Sequence, residues 1–488
     1  MDLKTKYYSS GEALKLKARL VARGDTEWEK FDQDYYSPTV DHSTINLMFS
    51  LAAVHGYHIH GIDIYGAFVT SDLKDPLVFM QLPDDLVPPD QDGNAPIWRL
   101  KKSLYGLRIA PKTFYDSVST YLVDSCAMVR SKMDPCLFYW IDKADPRRKI
   151  LCSIHVDDFA IVASHQELIR DLCDKIKKRY TITETDDLET FLGVRIVKQH
   201  DCLYLSQPGH ILKIAKVAEV DSSYPHVSTP MLATYDEEVQ RDSPRCDEGK
   251  YRKLLGMLIY ALRTRPDIAT SISLLSVRTA ECTNKDYEAL RRVAAYLYQT
   301  IAMELVYSPE SRLHVRNVEK LYAWSDAAYL THRDSKSHYG ICFSHGSKRG
   351  MFFSKSGKQN VVSTSSTEAE LCSAVECTKY IIYFRDVLDE LGFAQLSPTP
   401  VYIDNASLLA LATKFSGSLK RVKHFLMRLN FLIEQVQKQA IHFVYEPTST
   451  LCADALTKPL PGPSFSRHVT QLMGPQREHS SRQEGDKE

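Results

Sequence analysis

Ile150-Leu-Cys-Ser-Ile-His-Val156, then Asp157-Asp158, then Phe159-Ala-Ile-Val-Ala163, is the stretch that decides how this chain is read. Apolar, β-branched runs on both sides predict two strands of a hairpin, with the two carboxylates at the tip, where a solvated site opens beside a packed sheet. Adjacent anions repel, and a divalent cation with a taste for hard oxygen ligands, such as Mg²⁺, relieves them. The doublet alone is a common thing. Asp84-Asp85 and Asp186-Asp187 also occur here and read as solvated turns.

The 488 residues, 44% hydrophobic and 25% charged, fit a globular protein of several domains. The longest apolar run, Leu254 to Leu262, is too short to span a bilayer, and the N-terminus lacks a basic-then-apolar leader, so neither a membrane nor a secretory role is expected. Eleven cysteines without a C-x-x-C pair predict reduced thiols in an intracellular protein. The formal net charge is zero, yet Arg99, Lys101, Lys102, Arg108 and Lys112 form one acid-free stripe, and Lys414, Lys420, Arg421, Lys423 and Arg428 another. Such stripes bind phosphate backbones even on a neutral protein.

Residues 1 to about 215 alternate strand-like and helix-like segments and read as one α/β unit. A helical stretch follows to about 318, crossed by a linker at Tyr224 to Gly249. From Lys320 the order is strand candidates Leu321–Asp326, Tyr339–Ser344 and Met351–Ser354, then a helix from Thr367 to Leu391. Strand Pro400–Asp404, helices Ser407–Thr413 and Leu419–Val436, strand Ile441–Tyr445 and a helix near Ala453 complete it. Ser365 and Thr367 each precede a Glu by three positions, a doubled capping-box signature. The tail past Pro459 is poor in aliphatics and is expected to be disordered.

Asp63 ends a strand-like run, Tyr57 to Ile64, ahead of a small-residue turn. Beside the Asp157-Asp158 tip it makes a third carboxylate, and three such groups can bracket two metal ions about 3.5–4 Å apart for in-line phosphoryl transfer. In the third unit Asp326 and Asp404 end strands, Glu370 lies in the first turns of a helix and Asp454 starts another. Glu368, two residues from Glu370, faces elsewhere and reads as a cap.

Lys17-Ala-Arg-Leu-Val-Ala-Arg-Gly24, Tyr36-Ser-Pro-Thr-Val40, Asp63-Ile-Tyr-Gly-Ala-Phe68, Leu104-Tyr-Gly-Leu-Arg-Ile-Ala-Pro111, His155-Val-Asp-Asp158 and Phe191-Leu-Gly193 follow one another as in copia-type long-terminal-repeat retrotransposon reverse transcriptases. Trp324 to Tyr329, Ser363 to Leu371, Tyr402-Ile-Asp404 and Ala453-Asp454 resemble the ribonuclease H domain fused after such polymerases. The resemblance runs to about residue 460. It implies a multidomain α/β protein: a right-hand-like polymerase with fingers and palm over 1–217, a helical thumb or connection over 218–318, a ribonuclease H-like domain over 319–460 and a disordered tail over 461–488.

What the resemblance further implies is an RNA-directed DNA polymerase with ribonuclease H activity, using Mg²⁺ or Mn²⁺. RNA template, DNA primer, RNA–DNA hybrid and deoxynucleoside triphosphates are its partners, and no membrane is. The setting the resemblance implies is intracellular and cytoplasmic, with a virus-like particle and entry to the nucleus left open. Asp63, Asp157 and Asp158 match the polymerase metal triad, and Asp326, Glu370, Asp404 and Asp454 the nuclease ligands. Phe68 matches the residue that crowds the sugar 2′ position, Tyr105-Gly106 the loop against the incoming nucleotide, Lys17 or Arg19 the triphosphate holder, and Leu192-Gly193 the turn supporting the primer. The second basic stripe would hold the phosphates of a hybrid.

The chain departs from the family at His155, usually Tyr, a change that makes the site titratable. Arg108-Ile-Ala-Pro111 stands for Lys-Gln-Ala-Pro, Met427 or its neighbour replaces an acid, and the Asn usually ahead of Asp454 is missing. Only sixteen residues precede Lys17, so part of the fingers is expected to be absent, and the chain reads as the polymerase–nuclease portion of an element or a truncated copy. The competing expectation is a catalytically idle remnant that binds nucleic acid or partner proteins; a third is that the nuclease alone works.

Overall fold

Long-range strand pairing organises both halves of this chain. The computed structural model describes residues 2–7, 13–26, 35–73, 77–82, 86–89, 92–235, 243–309, 320–413 and 425–477. It divides into one unit of residues 1–41 and 58–187 and a second of 42–57 and 188–488. The second takes helix α1 (His42–His55) out of the sequence of the first.

In the first unit, β1 (Asp2–Tyr7) pairs with β2 (Ala13–Arg19), and β4 (Phe79–Gln81) with β5 (Ile97–Arg99). The main sheet has six strands in the order β10-β3-β9-β8-β7-β6, formed by β3 (His58–Ile64), β6 (Val129–Arg130), β7 (Leu137–Ile141), β8 (Lys149–His155), β9 (Asp158–Ala163) and β10 (Ile182–Asp186). Every pairing is antiparallel. Period-two alternation sends Ile62 and Ile64 of β3 and Phe159 and Ile161 of β9 to one face. There they meet Phe114, Val118 and Leu122 of helix α2 (Ala110–Asp124) and Ile169, Leu172 and Ile176 of helix α3 (Gln166–Lys177). Asp63 and Asp158, one residue out of phase, stand on the other face.

The second unit holds a four-stranded sheet of β11 (Thr190–Phe191), β12 (Val194–Gln199), β13 (Cys202–Ser206) and β14 (Leu305–Tyr307). Helices α4 (Pro208–Ala218), α5 (Glu248–Ala261), α6 (Ala269–Val277) and α7 (Asn284–Gln299) lie between β13 and β14 in sequence. Then come β15 (Leu321–Ala328), β16 (His338–His345) and β17 (Phe353–Lys358), helix α8 (Ser366–Glu390), β18 (Thr399–Ile403), α9 (Ala406–Thr413), α10 (Leu426–Gln437), β19 (Ile441–Tyr445) and α11 (Gly462–Met473). Their sheet order is β17-β16-β15-β18-β19, antiparallel through β15 and parallel from β15 to β19. This is the β-β-β-α-β-α order expected from the sequence, and it leaves β15 central, with Asp326 buried two residues before its end rather than at it.

Three expectations need correcting. The supposed disordered tail 461–488 begins with an ordered helix: Phe465, Val469, Leu472 and Met473 bury one face of α11, and Gly350 and Met351 donate backbone hydrogen bonds to the Gln471 and Leu472 carbonyls. Four apolar residues at helical spacing outweighed the polar composition. The α4–α7 segment and the β15–β19 sheet fall in one unit, within which Thr270 of α6 donates to the Ala455 carbonyl at 2.6 Å. Of the doubled capping-box signature at α8 only the Ser365 half forms: the Ser365 hydroxyl accepts from the Glu368 amide, while Glu368 Oε2 accepts from Thr364 rather than from the Ser365 amide. Asp84-Asp85 lies outside the described residues, and Asp186 belongs to β10 rather than to a turn.

No composition signal marks the most polar feature of the second core. Arg265 and Asp267, 1% and 2% exposed, form a two-pronged ion pair at 2.9 and 2.7 Å, with Tyr296 Oη donating to Asp267 at 2.7 Å and Arg265 donating to Thr300. Removing one partner strands the other charge in a low-dielectric interior. Asp267→Asn is expected to cost about 3 kcal/mol of unfolding free energy, read as a lower denaturation midpoint in urea; an unchanged midpoint would contradict it.

Candidate active sites

The first site is built by the β3, β8 and β9 register. Asp63 sits directly opposite Asp158 across the β3–β9 ladder, and Ile64 donates its amide to the Asp157 carbonyl at 3.0 Å. That pattern makes Asp63 and Asp158 a pair without mutual backbone bonds, the closer of the two antiparallel spacings, with both side chains on one face. The β8–β9 hairpin closes through Val156 and Asp157, since His155 pairs with Asp158. Val156 takes φ +57°, a left-handed conformation that a β-branched residue adopts only under strain. The turn therefore spends stability to aim Asp157, a strain that strand periodicity does not reveal.

Charge follows geometry. Asp158 is pushed up to about 6, first by partial burial and then by the fields of Asp157 and Asp63. Among the described residues the three carboxylates do not close to within 4.8 Å of one another, unlike the second site below. The site is thus open and its anions are mutually repelling, which a divalent cation would relieve.

Around these acids the remaining residues assemble on the same unit. Tyr105 packs edge-on against Phe68 with ring centroids 4.9 Å apart, and the Arg19 guanidinium stands 5.1 Å from the Tyr105 ring centroid. Burial, then the Asp157 field, raises the Tyr105 hydroxyl. Of the two triphosphate candidates, Arg19 is the one placed beside Tyr105; the Lys17 side chain lies outside the described residues. Gly106 has a backbone reason to be glycine. At φ +91° a Cβ there would lie 2.0 Å from the Ala22 carbonyl, where the loop docks through bonds from Ala22 and Gly24 to the Tyr105 and Gly106 carbonyls. Arg99, Lys101, Lys102 and Arg108 of the first basic stripe are exposed. Most of the second stripe, 414–424, lies outside the described residues.

Leu192-Gly193 belongs to the second unit. Both residues have positive φ in a two-residue hairpin turn, and the Leu192 carbonyl accepts from Tyr260 Oη at 2.6 Å and from Arg263 at 2.9 Å. A Cβ on Gly193 would strike Tyr260 Oη at 2.5 Å. The turn is pinned by α5 and the residues after it, a tertiary reason for Leu-Gly that the dipeptide does not reveal.

The second site is tighter. Asp326 comes from central strand β15, Glu370 from the second turn of α8 and Asp404 from the end of β18, and an oxygen of each lies within 4.8 Å of the others. Thr457 Oγ1 donates to Asp326 at 2.8 Å, and Thr448 Oγ1 to Asp404 at 2.5 Å. Burial, then Asp404 and Asp454, pushes Asp326 up to about 7; burial, then Asp326 and Asp404, pushes Glu370 well above the carboxylate range. Glu370 Oε2 is buried without a hydrogen-bond partner. A hard cation fits this donor set: it neutralises the repulsion and supplies the partner that Glu370 lacks.

Asp454 is the fourth acid, and it stands apart from this trio. It lies in the short 3-10 turn Cys452–Leu456 and binds Lys458 at 2.6 Å, so a local cation holds its charge, although its field still reaches Asp326. Glu368 also stays outside the trio, bonded to Thr364 just ahead of α8.

Residues 3–233 match the family model described as reverse transcriptase (RNA-dependent DNA polymerase). Over 94% of its length the chain is 30% identical to the Retrovirus-related Pol polyprotein from transposon RE2 of Arabidopsis thaliana, covering 31% of that protein. Along nearly its whole length the chain is similar to the copia-type reverse transcriptases. Another member, the Retrovirus-related Pol polyprotein from transposon TNT 1-94 of Nicotiana tabacum, is 28% identical over 93% of this chain and 34% of its own length. The chain thus spans about a third of these copia-type relatives. Among solved structures, a foamy viral protease-reverse transcriptase in complex with ds DNA aligns over 80% of this chain and 56% of its own, at 13% identity and a TM-score of 0.44. No helix among the described residues is long and apolar enough to cross a membrane.

Proposed function

We propose that this chain is an RNA-directed DNA polymerase with a fused ribonuclease H activity, each site working with two divalent cations, Mg²⁺ in the first place and Mn²⁺ as a substitute. One observation carries the reading: two separate carboxylate clusters, each on a different sheet, each holding at least one acid raised by burial and then by its neighbours' charge. When bound, the cations polarise the attacking oxygen and offset charge on the leaving one. The remaining work belongs to side chains. Asp63, Asp157 and Asp158 would fix the cations of the polymerase site beside a primer end. Arg19 supplies positive charge for a triphosphate, with Tyr105 as a flat surface for a nucleotide and Phe68 as the bulk that excludes a 2′-hydroxyl. Asp326, Glu370 and Asp404 would hold the cations of the nuclease site, with Asp454, tethered by Lys458, as the outlying fourth ligand.

The relevant substrates are an RNA template with a DNA primer, deoxynucleoside triphosphates and the RNA–DNA hybrid that synthesis produces. Exposed Arg99, Lys101, Lys102 and Arg108 support a phosphate-backbone partner, whose binding weakens as salt rises. The full chain is expected to extend a DNA primer on an RNA template in Mg²⁺ and to release fragments from labelled RNA in a hybrid, both activities disappearing on chelation and returning with added metal. Hybrid binding with neither activity would overturn this in favour of a nucleic-acid-binding remnant.

A further inference from the structure

On the helix-covered face of the polymerase sheet, away from Asp63, three residues far apart in sequence meet: His60 of β3, Cys173 of α3 and Glu184 of β10. Their ligand atoms lie within 4.8 Å of one another. His60 is 4% exposed and Cys173 1%. We infer that His60, Cys173 and Glu184 form a structural site for a borderline-soft divalent ion such as Zn²⁺.

Two observations point to a ligand, beyond the bond that the Cys173 thiol donates to the Glu184 carboxylate. His60 Nε2 is buried, has no hydrogen-bond partner and faces Glu184 Oε2 at 3.6 Å. That gap is long for a hydrogen bond, but close to the ~3.4 Å that separates two ligands on one tetrahedral zinc with bonds of about 2.0–2.2 Å. On the other side of the ring, Nδ1 lies 3.2 Å from Asp186 Oδ1. A carboxylate there keeps the imidazole proton on Nδ1 and turns the Nε2 lone pair inward, the arrangement by which an outer acid orients a metal-bound histidine.

Glu184 can serve without losing its other partner, since Oε1 binds Lys177 at 2.6 Å while Oε2 faces the ring. Cys173 binds as the thiolate, its proton passing to solvent as the ion enters. The mixture of sulfur, nitrogen and one oxygen favours zinc over the magnesium that all-oxygen sites select. Its fourth position would be taken by water, on the side where Glu184 is exposed. Such an ion ties edge strand β10 to β3 and to α3, behind the strand that carries Asp63.

Co²⁺ titration of the full chain tests this, because a thiolate ligand gives a near-ultraviolet charge-transfer band that carboxylate sites cannot. The titration is run on an Asp157→Asn, Asp326→Asn background to empty the other two sites. The expected result is one equivalent of Co²⁺ with that band, displaced by Zn²⁺. The band should vanish in Cys173→Ser, and in His60→Gln should the serine variant fail to fold. Asp186→Asn should weaken Zn²⁺ binding about tenfold. Absence of the band in the parent chain, or its persistence in a folded Cys173→Ser or His60→Gln chain, overturns the site.

Discussion

Asp157→Asn is expected to remove primer extension by on the order of 10³-fold or more while leaving hybrid cleavage intact. The asparagine is isosteric, and the structural task of residue 157 falls to its backbone: the carbonyl accepts from Ile64 across the sheet, and the residue closes the hairpin after the strained Val156. The substitution therefore deletes one negative charge and little else. A metal-holding carboxylate contributes several kcal/mol to the transition state of phosphoryl transfer, and each 1.36 kcal/mol is about a factor of ten in rate. A second consequence can be read without turnover. Asp158, held near 6 by burial and by the charges of Asp157 and Asp63, should titrate at lower pH once Asp157 is neutral. Extension surviving at more than a tenth of the parent rate would sink the assignment of Asp157, whereas loss of both activities together would point to a folding defect.

Much of this was legible in the sequence, and the failures have a common cause. The hairpin Ile150 to Ala163 could be read because its periodicity is local, and the same is true of α8, whose start is written in Ser365 and Glu368. The acids were named from strand ends and from the family resemblance, and Asp326, Glu370 and Asp404 do converge. What composition hid was long-range. Nothing near His60 announces Cys173 or Glu184, because only the sheet order β10-β3-β9 and the packing of α3 bring them together. The buried Arg265–Asp267 pair reads in sequence as an ordinary charged loop. Glycine at 106 looks like flexibility, yet it is there because the Ala22 carbonyl occupies the space a side chain would need. Average composition misled once, over Gly462–Met473, where four well-spaced apolar residues suffice for a packed helix.

Asp326→Asn is expected to abolish hybrid cleavage and, in the absence of divalent metal, to make the second unit more stable at pH 8. The wild-type carboxyl is pushed up to about 7, by burial first and by Asp404 and Asp454 next, from an ordinary 3.8. Between those two values the folded chain keeps a proton that the unfolded chain has released, so stability falls as pH rises through that window. Above pH 7 the whole penalty is present, and the gap corresponds to about 4 kcal/mol. Asparagine cannot ionise, and its carbonyl oxygen can still accept the bond that Thr457 donates to Asp326. Urea unfolding in a chelator should show the variant gaining about 2–4 kcal/mol at pH 8, with the difference vanishing near pH 4. Added Mg²⁺ should stabilise the parent more than the variant, because an ion bound only by the folded state raises its stability by mass action. A variant less stable than the parent at pH 8 in chelator would show that Asp326 is retained for the fold. The expected result shows instead a carboxylate kept against stability, for the cation it holds.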